Sequence, residues 1–356
     1  MRVDEFDFDL PPELIAQQAA PRGESRLLVV DRATGKLSHA SIRDLPAFLR
    51  RGDLVVTNDT RVFPARLLGR RVPSGGAVEC LLLSHLHPPT SDSHAPGSET
   101  WLALMHPGQK LKPGAHVLFE GAGAAIVGKV LDRHFHGRRT IRLSTERGSV
   151  ADAIDAIGHI PLPPYIHRPD SADDRDRYQT VFARHRGSVA APTAGLHFDA
   201  ALLAAIDRLG VERVSITLHV GYGTFKPVRA ELVNEHVVDP EPYEIAPPAA
   251  EAVDAARHDG RRVIAVGTTT TRALEDAARR GAGRPRAGRA EADIFIHPGH
   301  EFLVVGGLVT NFHLPKSSLL MLVAALAGRD LVLAAYREAI HERYRFYSYG
   351  DAMLIL

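Results

Sequence analysis

The chain has 356 residues, 45% of them hydrophobic and 24% charged, with a net charge of +1. This is the balance of an ordinary soluble globular protein, long enough for two domains, and it excludes any global electrostatic pull toward nucleic acid or anionic lipid. A single cysteine, Cys80, excludes an internal disulfide framework and a multi-cysteine zinc site, and fits a reducing cytosol.

The N-terminus, MRVDEFDFDLPPEL, is acidic and broken by prolines, unlike a signal or transit peptide. Between Ser25 and Thr57, two strand-like runs, RLLVVDR and GDLVVTN, flank a candidate helix, IRDLPAFLRR. From Arg66 to about Leu143 short strands and turns follow one another: ARLLGRRV, AVECLLLSHL, TWLALMHP, HVLFEG, AAIVGKVL and RTIRLS. Their spacing predicts a small barrel or sandwich. Cys80 sits in the apolar run VECLLL, which predicts a buried, inert thiol. The stretch His87 to Glu99, HPPTSDSHAPGSE, lacks periodicity and reads as a mobile loop. After Val150 helical and strand-like segments alternate, among them ALLAAIDRLG, RVSITLHV, PAAEAVDAARHDG, RRVIAVG, TRALEDAARR, ADIFI and FLVVGGLVTNF, with two helices from Ser318 to Tyr344. Such alternation predicts a layered α/β domain with a mostly parallel sheet. The expected organisation is a discontinuous α/β domain, residues 1–65 and 150–356, with a small β-barrel domain, 66–149, inserted into it. The longest uncharged apolar run, Leu319 to Ala327, is half the length needed to span a bilayer, so a cytoplasmic protein is expected.

Four strand-like runs end in loops rich in Gly, Thr and His: GSVAAPTAGLHF, ITLHVGYGTF, VIAVGTTTTRALE and LVTNFHLPKSSLL. In the third, Gly267 and four threonines precede a helix carrying Arg272 and Glu275, an arrangement suited to an anionic or polyhydroxy ligand. In the fourth, Lys316 at a helix start opposes the helix dipole unless a ligand carboxylate or phosphate lies nearby. Three of the loops carry a histidine, His197, His219 and His313, which a parallel sheet would gather at one edge. Plainer readings stand beside these: the threonines simply cap a helix, and the histidines are satisfied core or surface groups. Walker, Rossmann, nucleophile-elbow and zinc-protease motifs are all missing, which leaves a nucleotide-like ligand held without those signatures.

Longer motifs then stand out: NDTRVFPARL (Asn58 to Leu67), GHIPLPPYIHR (Gly158 to Arg168), DRYQTVFA (Asp176 to Ala183), GSVAAPTAGLHF (Gly187 to Phe198), TNFHLPKSSLLMLVAALAG (Thr310 to Gly328) and YRFYSYGDAMLI (Tyr344 to Ile355). Together they resemble the S-adenosylmethionine:tRNA ribosyltransferase-isomerase family of bacterial queuosine biosynthesis, from FDFDLP to the C-terminus. The resemblance implies an α/β domain with a β-barrel domain, and S-adenosylmethionine as co-substrate with no bound prosthetic group. It also implies, as acceptor, tRNA with 7-aminomethyl-7-deazaguanine at the wobble position, and epoxyqueuosine-tRNA, adenine and methionine as products. The chain departs from the family pattern at VVDPEPYE, where Asp239 replaces a histidine and Glu241 is kept, at GTTTTRALE, and at His300, where an aromatic is common.

On that resemblance, His197 and His219 are the candidates for proton transfer. Arg272 and Lys316 would hold the methionine carboxylate. Gly221, Gly223, Thr268 and Thr269 would line the nucleoside, with Thr224, His313 and Ser317 in the same site. No metal is implied. For tRNA phosphates the candidates are Arg61, Arg66, Arg70 and Arg71 at the barrel entrance, and the arginines from Arg279 to Arg289, above all Arg284, Arg286 and Arg289, in a basic loop, Arg279 to Glu291, whose plainer reading is a solvated linker. The expected partners are S-adenosylmethionine and tRNA, with no membrane and a monomeric chain. Rival readings are methyl transfer to RNA, and a non-enzymatic RNA-binding barrel lacking the aromatic and basic pattern of an RNA-recognition motif.

Overall fold

The computed structural model describes residues 1–86, 97–225 and 228–356. The acidic N-terminus forms two short 3-10 turns, Val3–Phe6 and Pro12–Leu14, that bury Val3, Phe6 and Leu14. Strands β1 (Arg26–Val30) and β2 (Leu37–Ser41) form a hairpin. The candidate helix IRDLPAFLRR shrinks to a 3-10 turn, Ile42–Asp44, and a single turn, α1 (Leu45–Phe48). Ser41 caps the turn by accepting from the Arg43 amide, and Leu49 is already extended. Strand β3 (Leu54–Asn58), buried at every position, and β4 (Thr60–Val62) complete this region.

The barrel strands are β5 (Arg66–Val72), β6 (Ala77–Leu86), β7 (Ser98–His106), β8 (His116–Gly121), β9 (Ala124–Arg133) and β10 (Arg138–Ser144). They close in the order β10-β7-β6-β5-β8-β9, each neighbour antiparallel. Period-two alternation fills the interior: Val78, Cys80 and Leu82 on β6, Val117 and Phe119 on β8, Ile141 and Leu143 on β10. Cys80 is fully buried and its thiol pKa is pushed far up by desolvation, so it is inert. Of the loop expected at His87 to Glu99, residues 87–96 lie outside the described residues. Ser98 and Glu99 belong instead to β7, paired with Ser144 and Leu143.

Helix α2 (Val150–Ile157), capped by Ser149, buries Val150, Ala153 and Ile154 in the barrel's core. After α3 (Asp174–Arg177), β11 (His185–Ser188) pairs in parallel with β4. The remaining elements are α4 (Ala200–Arg208), β12 (Glu212–Leu218), β13 (Glu241–Ile245), α5 (Pro247–His258), β14 (Val263–Val266), α6 (Thr268–Arg280), β15 (Gly288–Ala292), β16 (Gly307–Asn311), α7 (Ser318–Ala327), α8 (Arg329–His341) and β17 (Ala352–Ile355).

Among the described residues one nine-stranded sheet runs β15-β13-β12-β3-β14-β16-β17-β1-β2. Its centre, β12-β3-β14-β16, is parallel, and β17 is parallel to β1. The expectation of a mostly parallel sheet needs correction, because β13, β15 and β2 join by antiparallel pairing and β17 returns antiparallel to β16. Helices cover both faces: Leu54 and Val56 point to the core shared with α5 to α8, and Val55 to the core shared with α1 and α4. ADIFI is not a strand beyond Ala292; the Ile294 carbonyl accepts from the Arg272 guanidinium instead of a neighbouring strand. The segment read as a basic loop begins in the last turn of α6 and ends in β15, with Arg279 and Arg280 paired to Asp276 and Asp293. No single helix among the described residues is long and apolar enough to cross a membrane.

Candidate active site

The parallel neighbours β14 and β16 end side by side, and a cavity of about 300 Å3 opens beyond their C-terminal ends. Gly267, Thr268 and Thr269 after β14, and the stretch from Thr310 to Ser317 through the end of β16, form two of its walls. Segment 190–194 and the aromatic pair Tyr165 and Tyr347 form the others. Gly267 has φ 96°, a region open to glycine, and so turns the chain directly from strand into helix. No side-chain cap closes α6: Thr270 and Thr271 donate back to the carbonyls of Val266 and Gly267 at 2.7 and 3.2 Å. The capping reading of the threonines therefore fails, and the helix start is left open toward the cavity.

Polar atoms without partners collect here. Thr269 Oγ1 and Tyr347 Oη are buried, make no hydrogen bond, and belong to residues that line this one cavity. Each such atom costs about 1–3 kcal/mol unless something meets it. Lys316 and Tyr347, both on the cavity wall, also hold φ of 55° and 72°, conformations that side chains larger than glycine adopt at a cost. Tyr347 stacks on Tyr165 with ring centroids 4.5 Å apart, and the Asn311 amide donates to the Tyr347 carbonyl at 3.0 Å.

Of the residues expected at the ligand, Thr224, Thr268, Thr269, His313, Lys316 and Ser317 come together on this cavity. His313 is bonded to Thr310 Oγ1 at 2.8 Å, and burial lowers its pKa to about 3, so it is neutral. Ser317 caps α7 by accepting from Leu320 N at 3.2 Å, a structural task. The Lys316 ammonium reaches Asp7 at 2.6 Å in a half-exposed pair.

Five other expected residues lie elsewhere. His197 is sealed in the core, its Nδ1 2.7 Å from Ser25 Oγ, and desolvation lowers its pKa to about 4. It neighbours Asn311, whose amide holds that pKa up, but does not itself line the cavity. A group so enclosed exchanges no proton with a ligand there, which corrects its assignment as an acid or base. Arg272 is also corrected. Its guanidinium is taken by Glu241 and by the carbonyls of Ile294 and Ala292 at 3.2 and 2.9 Å, leaving no donor aimed into the cavity. Gly221 and Gly223 line a second, larger groove of about 920 Å3, where the edge of the sheet meets the barrel. At Gly223 a Cβ would come 2.7 Å from the Asp239 carboxylate, so the bare backbone serves Asp239.

His219 also stands on that groove, next to Val220, which lines both spaces. Its Nδ1 lies 2.7 Å from Thr60 Oγ1, and Gly187 packs so closely that a Cβ would meet the ring at 2.7 Å. Its pKa is lowered, first by burial and then by the charge of His185. Glu241, nearly buried, accepts from Gly221 N at 2.9 Å and Thr224 Oγ1 at 3.3 Å, tying down the turn between the two spaces. Asp239 pairs with Arg138 of the barrel at 3.3 Å. Glu275 accepts from the amides of Leu303, Val304 and Val305, with His300 3.5 Å away, and is structural.

Residues 3–355 match the family described as queuosine biosynthesis protein. A curated relative from Symbiobacterium thermophilum is 51% identical over the full length of both chains, and one from Geotalea uraniireducens is 50% identical, again over both full lengths. Both carry the name S-adenosylmethionine:tRNA ribosyltransferase-isomerase. The chain belongs to that enzyme family. A solved structure, the S-adenosylmethionine tRNA ribosyltransferase of Thermotoga maritima, is 35% identical, with 99% of this chain and 100% of that one covered and a TM-score of 0.54.

The arginines expected to contact RNA phosphates are dispersed. Arg66 and Arg70 pair with Glu79 and Glu120 at 2.8 and 3.0 Å, and Arg71 folds over Gly76. Arg284 lines a surface hollow with Glu251, Asp254 and Asp259, and Arg286 is exposed beside it in sequence. Arg61, exposed on β4, sits opposite Arg186. Of the expected arginines Arg289 alone lines the large groove, which Arg138 and Arg186 border as well. Tyr165, Asn311 and Tyr347 were missed as site residues although the motifs GHIPLPPYIHR, TNFHLPKSS and YRFYSYGD contain them. Nothing in its residue type reveals that the Tyr347 hydroxyl lacks a partner.

Proposed function

We propose that the chain transfers and isomerises the ribosyl group of S-adenosylmethionine onto 7-aminomethyl-7-deazaguanine at the wobble position of tRNA. The products are epoxyqueuosine-tRNA, adenine and methionine, and the enzyme acts as a monomer in the cytoplasm. Family membership supports the reaction class. The observation that carries the donor site is the pair of buried, unpartnered hydroxyls, Thr269 Oγ1 and Tyr347 Oη, on one cavity. Ribose hydroxyls and the amino acid of S-adenosylmethionine supply the missing partners. The open start of α6 favours the carboxylate. Lys316 joins it by leaving Asp7, a half-exposed pair worth at most about 1 kcal/mol.

The sulfonium acidifies the ribose C5′, so one neutral base is needed beside the cavity, and adenine must leave protonated. His219, kept neutral by burial where cavity and groove meet, is the group for proton transfer. His197 acts by holding the Asn311 amide. The test is incubation with S-adenosylmethionine labelled in the ribose and tRNA bearing the aminomethyl base. Label should pass to tRNA with adenine and methionine released in equal amount. Formation of S-adenosylhomocysteine would establish methyl transfer in its place.

A further inference from the structure

The larger groove has a composition that the donor site does not use. One wall is the barrel: Trp101 of β7, His85 of β6 and Arg138 of β10, with Phe63 just ahead of β5. The Trp101 ring is fixed, its centroid 5.6 Å from Phe63 and 5.1 Å from His85, with Nε1 donating to Glu99 at 2.9 Å. It is half-buried, so part of this rigid indole faces the groove. The opposite wall is the sheet edge, with His219, Gly221 and Gly223. Three cations border the opening. Arg138 pairs with Asp239, Arg186 reaches Asp155 from a position over the Phe63 ring, and Arg289 pairs with Glu244. These solvent-accessible pairs are individually weak, so the guanidinium groups are free to exchange carboxylates for phosphates.

We infer that this groove receives one unstacked base of a single-stranded RNA loop, with Trp101 as its stacking platform and Arg138, Arg186 and Arg289 meeting the flanking phosphates. The chemistry is that of single-stranded RNA recognition: a flat aromatic accepts any base face, and cations beside it follow the backbone. A base acted on by an enzyme must leave its stack, and about 920 Å3 holds a nucleotide with part of its neighbours. The groove meets the donor cavity at Val220, and the turn from Gly221 to Thr224 is the partition, its glycines on the groove and Thr224 on the cavity. A base on Trp101 therefore approaches the donor from the barrel side. This assigns the barrel a task, and it rests on the proposed reaction only for the identity of the base.

Trp101 is the chain's only tryptophan, so its emission reports on the groove alone. Titration of the full-length protein with an anticodon stem-loop RNA should quench that emission saturably, while S-adenosylmethionine alone leaves it unchanged. Trp101→Ala should weaken RNA binding by about 5- to 150-fold, the range that base–aromatic stacking supplies, with S-adenosylmethionine affinity retained. Trp101→Phe should restore most of the loss, which a merely misfolded barrel would not allow. RNA that binds without changing the emission, together with Trp101→Ala binding RNA like the wild type, would overturn the inference. Ribosyl transfer by a wild type whose Trp101 ignores RNA sinks the platform alone. Quenching without ribosyl transfer supports the platform and sinks the proposed reaction.

Discussion

Tyr347 bears the sharpest demand placed on a single side chain, since its buried hydroxyl has no partner within the protein. Removing it in Tyr347→Phe breaks no internal hydrogen bond, so urea unfolding should show stability unchanged or slightly raised. S-adenosylmethionine affinity, read by calorimetric titration, should fall by about tenfold, as a lost hydrogen bond to a ligand costs about 1–1.5 kcal/mol. Two buried histidines make a separate claim about acid. His197 and His313 have folded pKa values of about 4 and about 3, both below the 6.5 of an unfolded histidine. Their contribution is intact above the unfolded value and is lost as pH falls from about 6.5 toward 4 and 3, because the unfolded chain takes up protons first. Each adds a slope of about 1.4 kcal/mol per pH unit in that window. Urea midpoints should drop from pH 7 to about 5, and His197→Gln should make the drop shallower; an unchanged slope would contradict the assignment. At this scale the sequence was partly legible. Thr268, Thr269, His313 and Lys316 could be placed because they follow strand ends, whereas the sealed position of His197 and the occupied guanidinium of Arg272 depend on packing across distant segments.

Between elements, the pair of Arg272 on α6 and Glu241 on β13 fixes how the helix, the edge strands and the Gly221–Thr224 turn sit together. Arg272→Ala leaves a nearly buried carboxylate unpaired and should cost about 3–5 kcal/mol of stability. Glu241→Gln in the same chain should recover part of that loss. If Arg272→Ala weakens only ligand binding and leaves the unfolding midpoint alone, Arg272 is a ligand group after all. The barrel strands were readable because period-two alternation, as in Val78, Cys80 and Leu82, survives in a closed antiparallel barrel with one apolar interior. The antiparallel flank was not. EPYEI and the edge strand GRAEA are polar, short and fixed by their pairing with each other and of EPYEI with β12, and β17 comes from an aromatic-rich tail whose pairing with β1 spans most of the chain. ADIFI shows the opposite failure, an apolar run whose carbonyl is claimed by a side chain.

In the molecule as a whole, the barrel closes on its own core and α2 adds Val150, Ala153 and Ile154 to it. We propose that the inserted unit runs from residue 66 to 157, a few residues beyond the boundary expected from the sequence. Hydrogen exchange should then show α2 opening together with the barrel strands, at a free energy distinct from that of the nine-stranded sheet; α2 opening with the sheet would contradict this. The two units meet at the groove, while the donor cavity belongs to the sheet's C-terminal edge. We propose that this cavity, where the hydroxyls of Thr269 and Tyr347 lack partners, holds S-adenosylmethionine. A crystal structure with that ligand bound tests it most directly. Ligand density is expected within the cavity between α6 and the Tyr165–Tyr347 stack, with the hydroxyls of Thr269 and Tyr347 within hydrogen-bond distance of it. Ligand bound elsewhere, with those two hydroxyls still unpartnered, would contradict it.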